Sequence, residues 1–411
     1  KPRELNWVVG FLLFLMGMGA GFTGYSLPDD LLSGNGLRII DGMIKGIPVI
    51  GPAFSSGFFG GEFPGTEVVA RLYSLHIMIL PALIIVLIGV HLMMVIIHKH
   101  THYSGPGRTD DNVVGYPLMP VYVAKAGGFF FLVFGVVAAI AATFTINPIW
   151  NYGPYDPSPV SAGTQPDWYI GWLDGALRLA PSGWDISVFD YVIPMGVMVP
   201  LIVSLLFLAL VAAYPFIENW VTKDKREHHV LDRPRNAPTR TAIGAAGVTF
   251  YAVLWAGAST DLIATNFQMS LNQVLVAMQI MLLIGPGIAY FVTKRACIAL
   301  QNKDREVVLH GRETGRVVRL PHGEYIEVHE TVDKYELWKL IDYKDYQPVL
   351  ARPDANGKIS LGNRLRSAVS KIYFEDRIAP VSKAEYELAH ADHAPEAVPE
   401  KPKRKQKSIN A

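Results

Sequence analysis

The stretch RLYSLHIMILPALIIVLIGVHLMMVIIHKH, residues 71–100, decides how this chain is read. No Lys, Arg, Asp or Glu occurs from Leu72 to His98. The run is long enough to cross a hydrocarbon layer about 30 Å thick. His76 and His91 stand inside it, fifteen residues apart. Ionisable side chains in a bilayer core are costly and mark function by default. Fifteen helical residues rise about 22 Å and, at about 100° each, return to nearly the same face. One helix thus offers two imidazoles on one side, one near each membrane surface. Two stacked metal or haem centres need that arrangement. Two histidines that simply hydrogen-bond between helices are the plainer alternative.

Outward from this stretch, the composition is that of a membrane protein: 50% hydrophobic and 18% charged, with a formal net charge of +1. The single cysteine, Cys297, excludes an internal disulfide, a cysteine-ligated iron–sulfur cluster and a Cys-rich zinc site. The chain opens KPRELNW, without Met or signal peptide, and further sequence upstream is expected. Six apolar stretches reach spanning length: Trp7–Gly24, Leu72–His98, Ala124–Phe144, Tyr191–Tyr214, Ala242–Leu262 and Val274–Val292. They are continuous, lack period-two alternation and are twice strand length, which predicts helices over barrel strands.

The loops sort by charge. One set carries Lys1, Arg3, Lys99, Arg108, Lys125, Lys223, Lys225, Arg226, Arg233, Arg235, Arg240, Lys294 and Arg295. The other carries only Arg38, Lys45, Arg71 and Arg178, beside ten acidic residues that include Asp167, Asp174 and Asp190. The positive-inside rule places the basic set in the cytoplasm. Two long outer loops, Tyr25–Arg71 and Thr145–Asp190, are rich in Gly, Pro and aromatics and are expected to pack as short helices. After Arg295 the chain turns polar, with strand-like pieces at Arg316–Leu320 and Tyr325–His329. Its end, APEAVPEKPKRKQKSINA, has a disordered composition. KPKRKQK reads as a solvated tail or a lipid contact, and Cys297 as an ordinary helix-end residue. The expected division is 1–105, 106–296 and a cytoplasmic extension over 297–411, with no internal repeat. The fold class is an all-α membrane protein.

Glycine lets a bulky planar group approach backbone closely. Gly89 precedes His91 by two residues, and the first span carries Gly10 and Gly24, fourteen apart. Small-residue helix packing is the alternative use. Haem iron with two imidazoles is six-coordinate and suits electron transfer. Two such haems need four histidines. His98, His100, His102, His228, His229, His310, His322, His329, His390 and His393 all lie outside the apolar cores. The other two ligands therefore belong to a segment absent from this chain.

The histidine-bearing stretch resembles the fourth transmembrane helix of cytochrome b, the quinol-oxidising core of respiratory and photosynthetic bc complexes. GYSLPDD (24–30), GIPVIG (46–51) and PDWY (166–169) resemble further family motifs in the same order, PDWY with Asp in place of Glu. The similarity covers about 1–296. DDLLSGNGLRI, the PDWY spelling, HHVLDRPRNAPTRTAIGA and the long extension resemble the actinobacterial menaquinol:cytochrome c oxidoreductases. The resemblance implies a transmembrane helix bundle with two more spans upstream. It implies two b-type haems, the low-potential one on His76 near the outer face and the high-potential one on His91 near the inner face. Arg71 matches an arginine beside a haem propionate, and Tyr25 a tyrosine lining the outer quinol pocket. Menaquinol oxidised there sends one electron to a Rieske iron–sulfur subunit and the other through both haems to an inner quinone. Further implied partners are a c-type cytochrome subunit, a second copy in a homodimer, a terminal oxidase and membrane lipid; no nucleic acid is expected. The location implied is the cell membrane.

Quinol oxidation releases protons, and Asp167, flanked by Trp168 and Tyr169, suits a proton acceptor. Burial would raise its pKa. Alternatively Asp167 caps a helix starting at Trp168. Asp174 is either a second relay carboxylate or an i,i+4 partner of Arg178. His98, His100, His102 and Lys125 either serve the inner quinone or line a basic membrane rim. Two rival readings stand. A plastoquinol complex is disfavoured by the long extension and the unbroken chain between the third and fourth spans. A proton-coupled transporter calls for charged partners in other spans, and Trp7–Gly24 and Val274–Val292 hold none.

Overall fold

A backbone in hydrocarbon has to satisfy its own N–H and C=O groups, and a helix does so within one segment. The computed structural model describes residues 3–113, 115, 117–144, 149–158, 164–181, 183–189, 191–340, 347–374 and 377–391, and these are mainly helical. The Pro/Lys/Glu-rich end, with KPKRKQK and His393, lies outside the described residues, as do Lys1 and Asp190. The first half runs α1 (Glu4–Tyr25), α2 (Leu31–Lys45), α3 (Gly51–Phe59), α4 (Val68–Ser74), a π-turn (Leu75–Ile79), α5 (Leu80–His98) and α6 (Val123–Thr143). Then follow α7 (Ile149–Tyr152), α8 (Gly171–Leu179), β1 (Asp185–Val188), β2 (Tyr191–Pro194), α9 (Met195–Thr222), α10 (Pro238–Gly257), α11 (Thr260–Asn266) and α12 (Leu271–His310). The extension adds β3 (Arg312–Arg319), β4 (Tyr325–Glu330), α13 (Lys334–Leu340), α14 (Leu361–Phe374) and α15 (Lys383–Ala391).

Among the described residues, five helical runs are long and apolar enough to cross a membrane: Glu4–Tyr25, Val68–His98, Leu118–Thr143, Met195–Thr222 and Leu271–His310. A sixth span forms if α10 and α11 count together, but they meet at 69°. The straight span expected over Ala242–Leu262 is therefore corrected: it begins at Pro238 and ends at Gly257. Two other boundaries move. Tyr191–Pro194 pairs antiparallel with Asp185–Val188, so the fourth span starts at Met195. The last helix continues from Val292 to His310 through good helix formers, and stops at Gly311 with φ +84°. The compositional change at 297 thus falls inside an unbroken helix.

The outer loops fold as short helices, as expected. Asp30 and Ser33 form a reciprocal cap on α2, Ser33 N–H donating to Asp30 Oδ1 at 2.8 Å. The two loops are pinned together: Tyr155 N–H donates to Asp29 O (2.8 Å) and Asn35 Nδ2 to Thr164 Oγ1 (3.1 Å). One buried cluster, Leu37, Phe59, Val68 and Leu72, anchors this layer to α4. A second, Trp172, Ala176, Leu179 and Leu254, clamps α8 to α10. The β3–β4 hairpin matches the strand-like pieces, and Asp304 of α12 pairs with Arg233 (2.8 Å) and Arg235 (2.9 Å). Beyond Lys125 in its first turn, the α6 surface is apolar, with Phe129, Phe130, Phe131 and Phe134 exposed, as befits a helix facing lipid or other helices.

Candidate functional site

The geometry around α1 explains the spacing of the histidines. Helices α1 and α5 run antiparallel side by side, so the ends of one meet the opposite ends of the other. A Cβ built on Gly24 would lie 2.5 Å from His76 Cε1 and 3.1 Å from its Nε2. A Cβ built on Gly10 would lie 3.6 Å from His91 Cε1. Each imidazole therefore sits over bare glycine backbone on α1, and the two glycine–histidine pairs are separated by roughly 21 Å of helix. His76 Nδ1 lies 3.1 Å from Thr23 Oγ1, and Thr23 in turn donates to Gly19 O at 2.8 Å. That contact leaves Nε2 for a metal. His91 Nδ1 is buried without a hydrogen-bond partner. Unpaired buried polar atoms call for an explanation, and a site that would hold a cofactor is one. Among the described residues, no group of three or more His, Cys, Asp or Glu is arranged to hold a bare metal ion. Single histidines facing glycines fit haem, whose porphyrin supplies the other equatorial donors.

The second feature lies at the His76 end. A cavity of about 90 Å³ is lined by Phe22 and Tyr25 of α1, Ile40 of α2, Pro166 and Asp167 of the PDWY loop, and Asp174 of α8. Tyr169 Oη donates to Asp167 Oδ2 at 2.6 Å. Burial pushes the Asp167 carboxyl above the usual carboxylate range, and this hydrogen bond works in the opposite direction. Burial also raises the Tyr169 phenol, and the neighbouring carboxylate adds to it. The loop is rigidly mounted. Trp255 Nε1 donates to Trp168 O (2.8 Å) and Trp172 Nε1 to Tyr169 O (3.0 Å). A Cβ on Gly175 would overlap Leu254 O, so α8 lies directly on α10.

Asp167 does not cap a helix: α8 begins at Gly171 after Ile170, with no side-chain cap. Asp174 pairs with Arg178 at 2.6 Å, and Arg178 also reaches Asp261 at 3.1 Å. Burial raises the Asp174 carboxyl, opposed by the Arg178 charge. Tyr25, Asp167 and Asp174 are thus brought to one cavity. GIPVIG is not; Val49, at φ +67°, and Ile50 are exposed beside α3. Arg71 donates to Gly57 O and, at 2.8 Å, to Phe58 O. Open space surrounds Gly89. At the opposite end His98 O accepts from Arg3 (3.3 Å), the His100 ring lies 5.1 Å from Tyr122, and His102 N–H donates to His229 O (2.7 Å). Sequence reasoning missed Gly21, whose built Cβ would meet the Tyr169 ring at 2.6 Å. The signal available was the small-residue run GMGAGFTGY in α1.

Comparison with known proteins gives a consistent result. The family model described as "Cytochrome b(N-terminal)/b6/petB" matches residues 1–154. The chain is 52% identical over 400 residues, 96% of its length and 73% of the relative's, to "Cytochrome bc1 complex cytochrome b subunit" of Streptomyces coelicolor. It is 50% identical to the protein of the same name from Mycobacterium bovis, over 80% of this chain and 60% of the relative. A solved structure described as "Hyperthermophilic respiratory Complex III" is similar at 20% identity and a TM-score of 0.47, covering 72% of each chain, too distant to bear on function.

Proposed function

This chain belongs to the cytochrome b family, as the cytochrome b subunit of a bc1 complex, and from that premise we propose that it is the electron-carrying core of a menaquinol-oxidising complex. Such a complex is a quinol–cytochrome c oxidoreductase, of which this chain is one membrane subunit. The pairing of His76 with Gly24 and His91 with Gly10 carries the proposal. His76 and His91 would each hold one of two b-type haems, with the remaining ligands supplied by a segment outside this chain. Arg71, which now donates to Gly57 O and Phe58 O, would offer its charge to a propionate of the haem at His76. When bound, the haems supply one-electron transfer across the membrane.

The protein's own residues do the remaining work. The cavity beside Tyr25 and Asp167 takes the menaquinol head group. Asp167 accepts a hydrogen bond from the quinol hydroxyl and then its proton. Tyr169 donates to Oδ2 of that carboxylate, so the quinol hydroxyl would use Oδ1 or displace the tyrosine. Burial moves the Asp167 pKa toward the operating pH, the direction that favours a proton acceptor. Glycines 10 and 24 leave room on α1 for the two imidazoles, which pack directly against its backbone. The indole hydrogen bonds from Trp172 and Trp255 to the PDWY backbone hold the acceptor in place. The proposed setting is the cell membrane, with the cavity outward, the 297–411 extension in the cytoplasm and quinone reduced at the inner face. Carrying one charge across the membrane stores about 2.3 kcal/mol per 100 mV, which couples the reaction to proton translocation. A Rieske iron–sulfur subunit, a c-type cytochrome subunit, a second copy of this chain and a terminal oxidase complete the proposed assembly. The test is the haem spectrum of the purified complex with His76→Ala or His91→Ala. Each variant should lose one b-haem band and keep the other. Both bands surviving in either variant would overturn the ligand assignment.

A further inference from the structure

The extension contains a helix that the electron-transfer reading does not use. Helix α14, LGNRLRSAVSKIYF, carries Arg364, Arg366 and Lys371 and no acidic residue. One side of it is tied to the ends of two spans. Tyr373 Oη donates to Glu218 of α9 at 2.8 Å, the Arg366 guanidinium stacks over the Trp220 ring at 5.3 Å, and Thr239 Oγ1, in the first turn of α10, donates to Ile372 O at 3.4 Å. Ser370 and Phe374 are buried on the same side. These contacts fix the helix at the level where α9 ends and α10 begins, the depth of headgroups for any chain whose α9 crosses a bilayer. Trp220 is the residue type enriched at that boundary.

The opposite side is an apolar stripe. Leu361, Leu365 and Ile372 stand at helical spacing, within about 40° of one another, and are 83%, 57% and 54% exposed. Exposed Arg364 and Lys371 flank it. An exposed apolar face with a cationic border at the edge of a membrane is the pattern of a helix lying in the interface. The leaflet on the basic side of membranes is anionic, which complements a helix bearing three positive charges. We propose that α14 is an interfacial anchor whose Leu361–Leu365–Ile372 stripe inserts among acyl chains while Arg364 and Lys371 bind anionic lipid headgroups. The inference rests on the transmembrane placement of α9 and α10, not on the haem assignment.

The test uses the whole complex in nanodiscs of phosphatidylglycerol with phosphatidylcholine, or of phosphatidylcholine alone. Nitroxide labels go on Leu365→Cys, Ile372→Cys and the loop control Asn356→Cys, with labelled wild type as the background; Cys297 is buried. Collisions with oxygen should exceed those with a water-soluble nickel chelate several-fold at 365 and 372, and the reverse should hold at 356. Phosphatidylglycerol should deepen both labels, and Arg364→Gln with Lys371→Gln should abolish that difference. Labels at 365 and 372 as open to nickel as at 356 would overturn the proposal. Labels shielded from both reagents would also overturn it, and would show that another protein covers the face. Haem spectra of the same samples separate either outcome from a failure of the electron-transfer reading.

Discussion

Gly24→Ala tests the glycine–histidine pairing with the smallest possible perturbation. A methyl group at this position would stand 2.5 Å from His76 Cε1 and 3.1–3.2 Å from both ring nitrogens. Ordinary carbon contact begins at about 3.5 Å, so the ring or the helix has to give by roughly 1 Å. Overpacking of that kind costs about 1–3 kcal/mol. Replacing glycine by alanine inside a helix recovers about 1 kcal/mol of propensity, so the net loss is about 0–2 kcal/mol. The matching change Gly10→Ala places its methyl 3.6 Å from His91 Cε1, an ordinary contact. It keeps the propensity gain and has no clash. The two variants should therefore separate, Gly24→Ala lowering the midpoint of haem loss on heating and shifting the potential of one haem, Gly10→Ala leaving both near wild type. The assay is thermal melting followed at the Soret band, with a redox titration of each b-haem. In a His76→Ala background, Gly24→Ala should leave the melting of the remaining haem unchanged, because the two residues act through one contact. Equal behaviour of the two alanine variants, or greater damage from Gly10→Ala, would refute the reasoning.

Three further outcomes follow from other contacts. Asp167 is held above its ordinary range by burial, so it stays protonated to a higher pH than a free aspartate. Quinol oxidation should slow as pH falls through that raised value, and Asp167→Asn should lower the rate and remove this acid limb. A raised carboxyl favours folding at low pH and disfavours it once ionised, so the same variant should melt no lower than wild type at pH 7. Asp304→Ala strands Arg233 and Arg235 beside α12. The cost should be about 2–3 kcal/mol, below that of fully buried pairs because the arginines are 22% and 31% exposed. Limited proteolysis of the extension is the readout, and unchanged cleavage would count against it. Asp110 Oδ1 accepts from the backbone N–H of His229 (2.9 Å) and Val230 (2.8 Å). Asp110→Ala should speed hydrogen exchange at both amides, while no change there would mean the loop is held by the His102–Val230 bridge alone.

What the sequence made legible was whatever depends on periodicity and cost. Uncharged runs of spanning length have few alternatives, so each of the six regions is mainly helical, and the i,i+4 spacing of Asp174 and Arg178 becomes an ion pair once α8 exists. The illegible parts depend on neighbours. The bend after Gly257 passes through Ala258 and Ser259, residues as acceptable in a span as outside one; only the packing of Gly257 against Leu179, where a Cβ would come within 2.8 Å, marks the end of α10. The partner of Asp167 was likewise invisible, because a Tyr169 hydroxyl two residues away competes with capping only once the loop is folded. The His76–His91 spacing itself conceals a device. On an ideal helix fifteen residues overshoot four whole turns by about 60°, so two imidazoles on the same side still point about 60° apart. In the folded chain His76 sits in the π-turn Leu75–Ile79, just before Pro81. Proline has no N–H to give to the carbonyl four residues back and clashes with it, and a wider turn relieves both problems. The wider turn also unwinds part of the excess rotation. It thereby brings His76 to Gly24 while His91 stays on Gly10. The proline that looks like a blemish in an otherwise regular span is, on this account, what lets a fifteen-residue spacing serve one face. Pro81→Ala should accordingly straighten the helix and weaken retention of the haem at His76 more than that at His91, measurable as selective loss of one b-band; equal retention of both would remove the π-turn from the explanation.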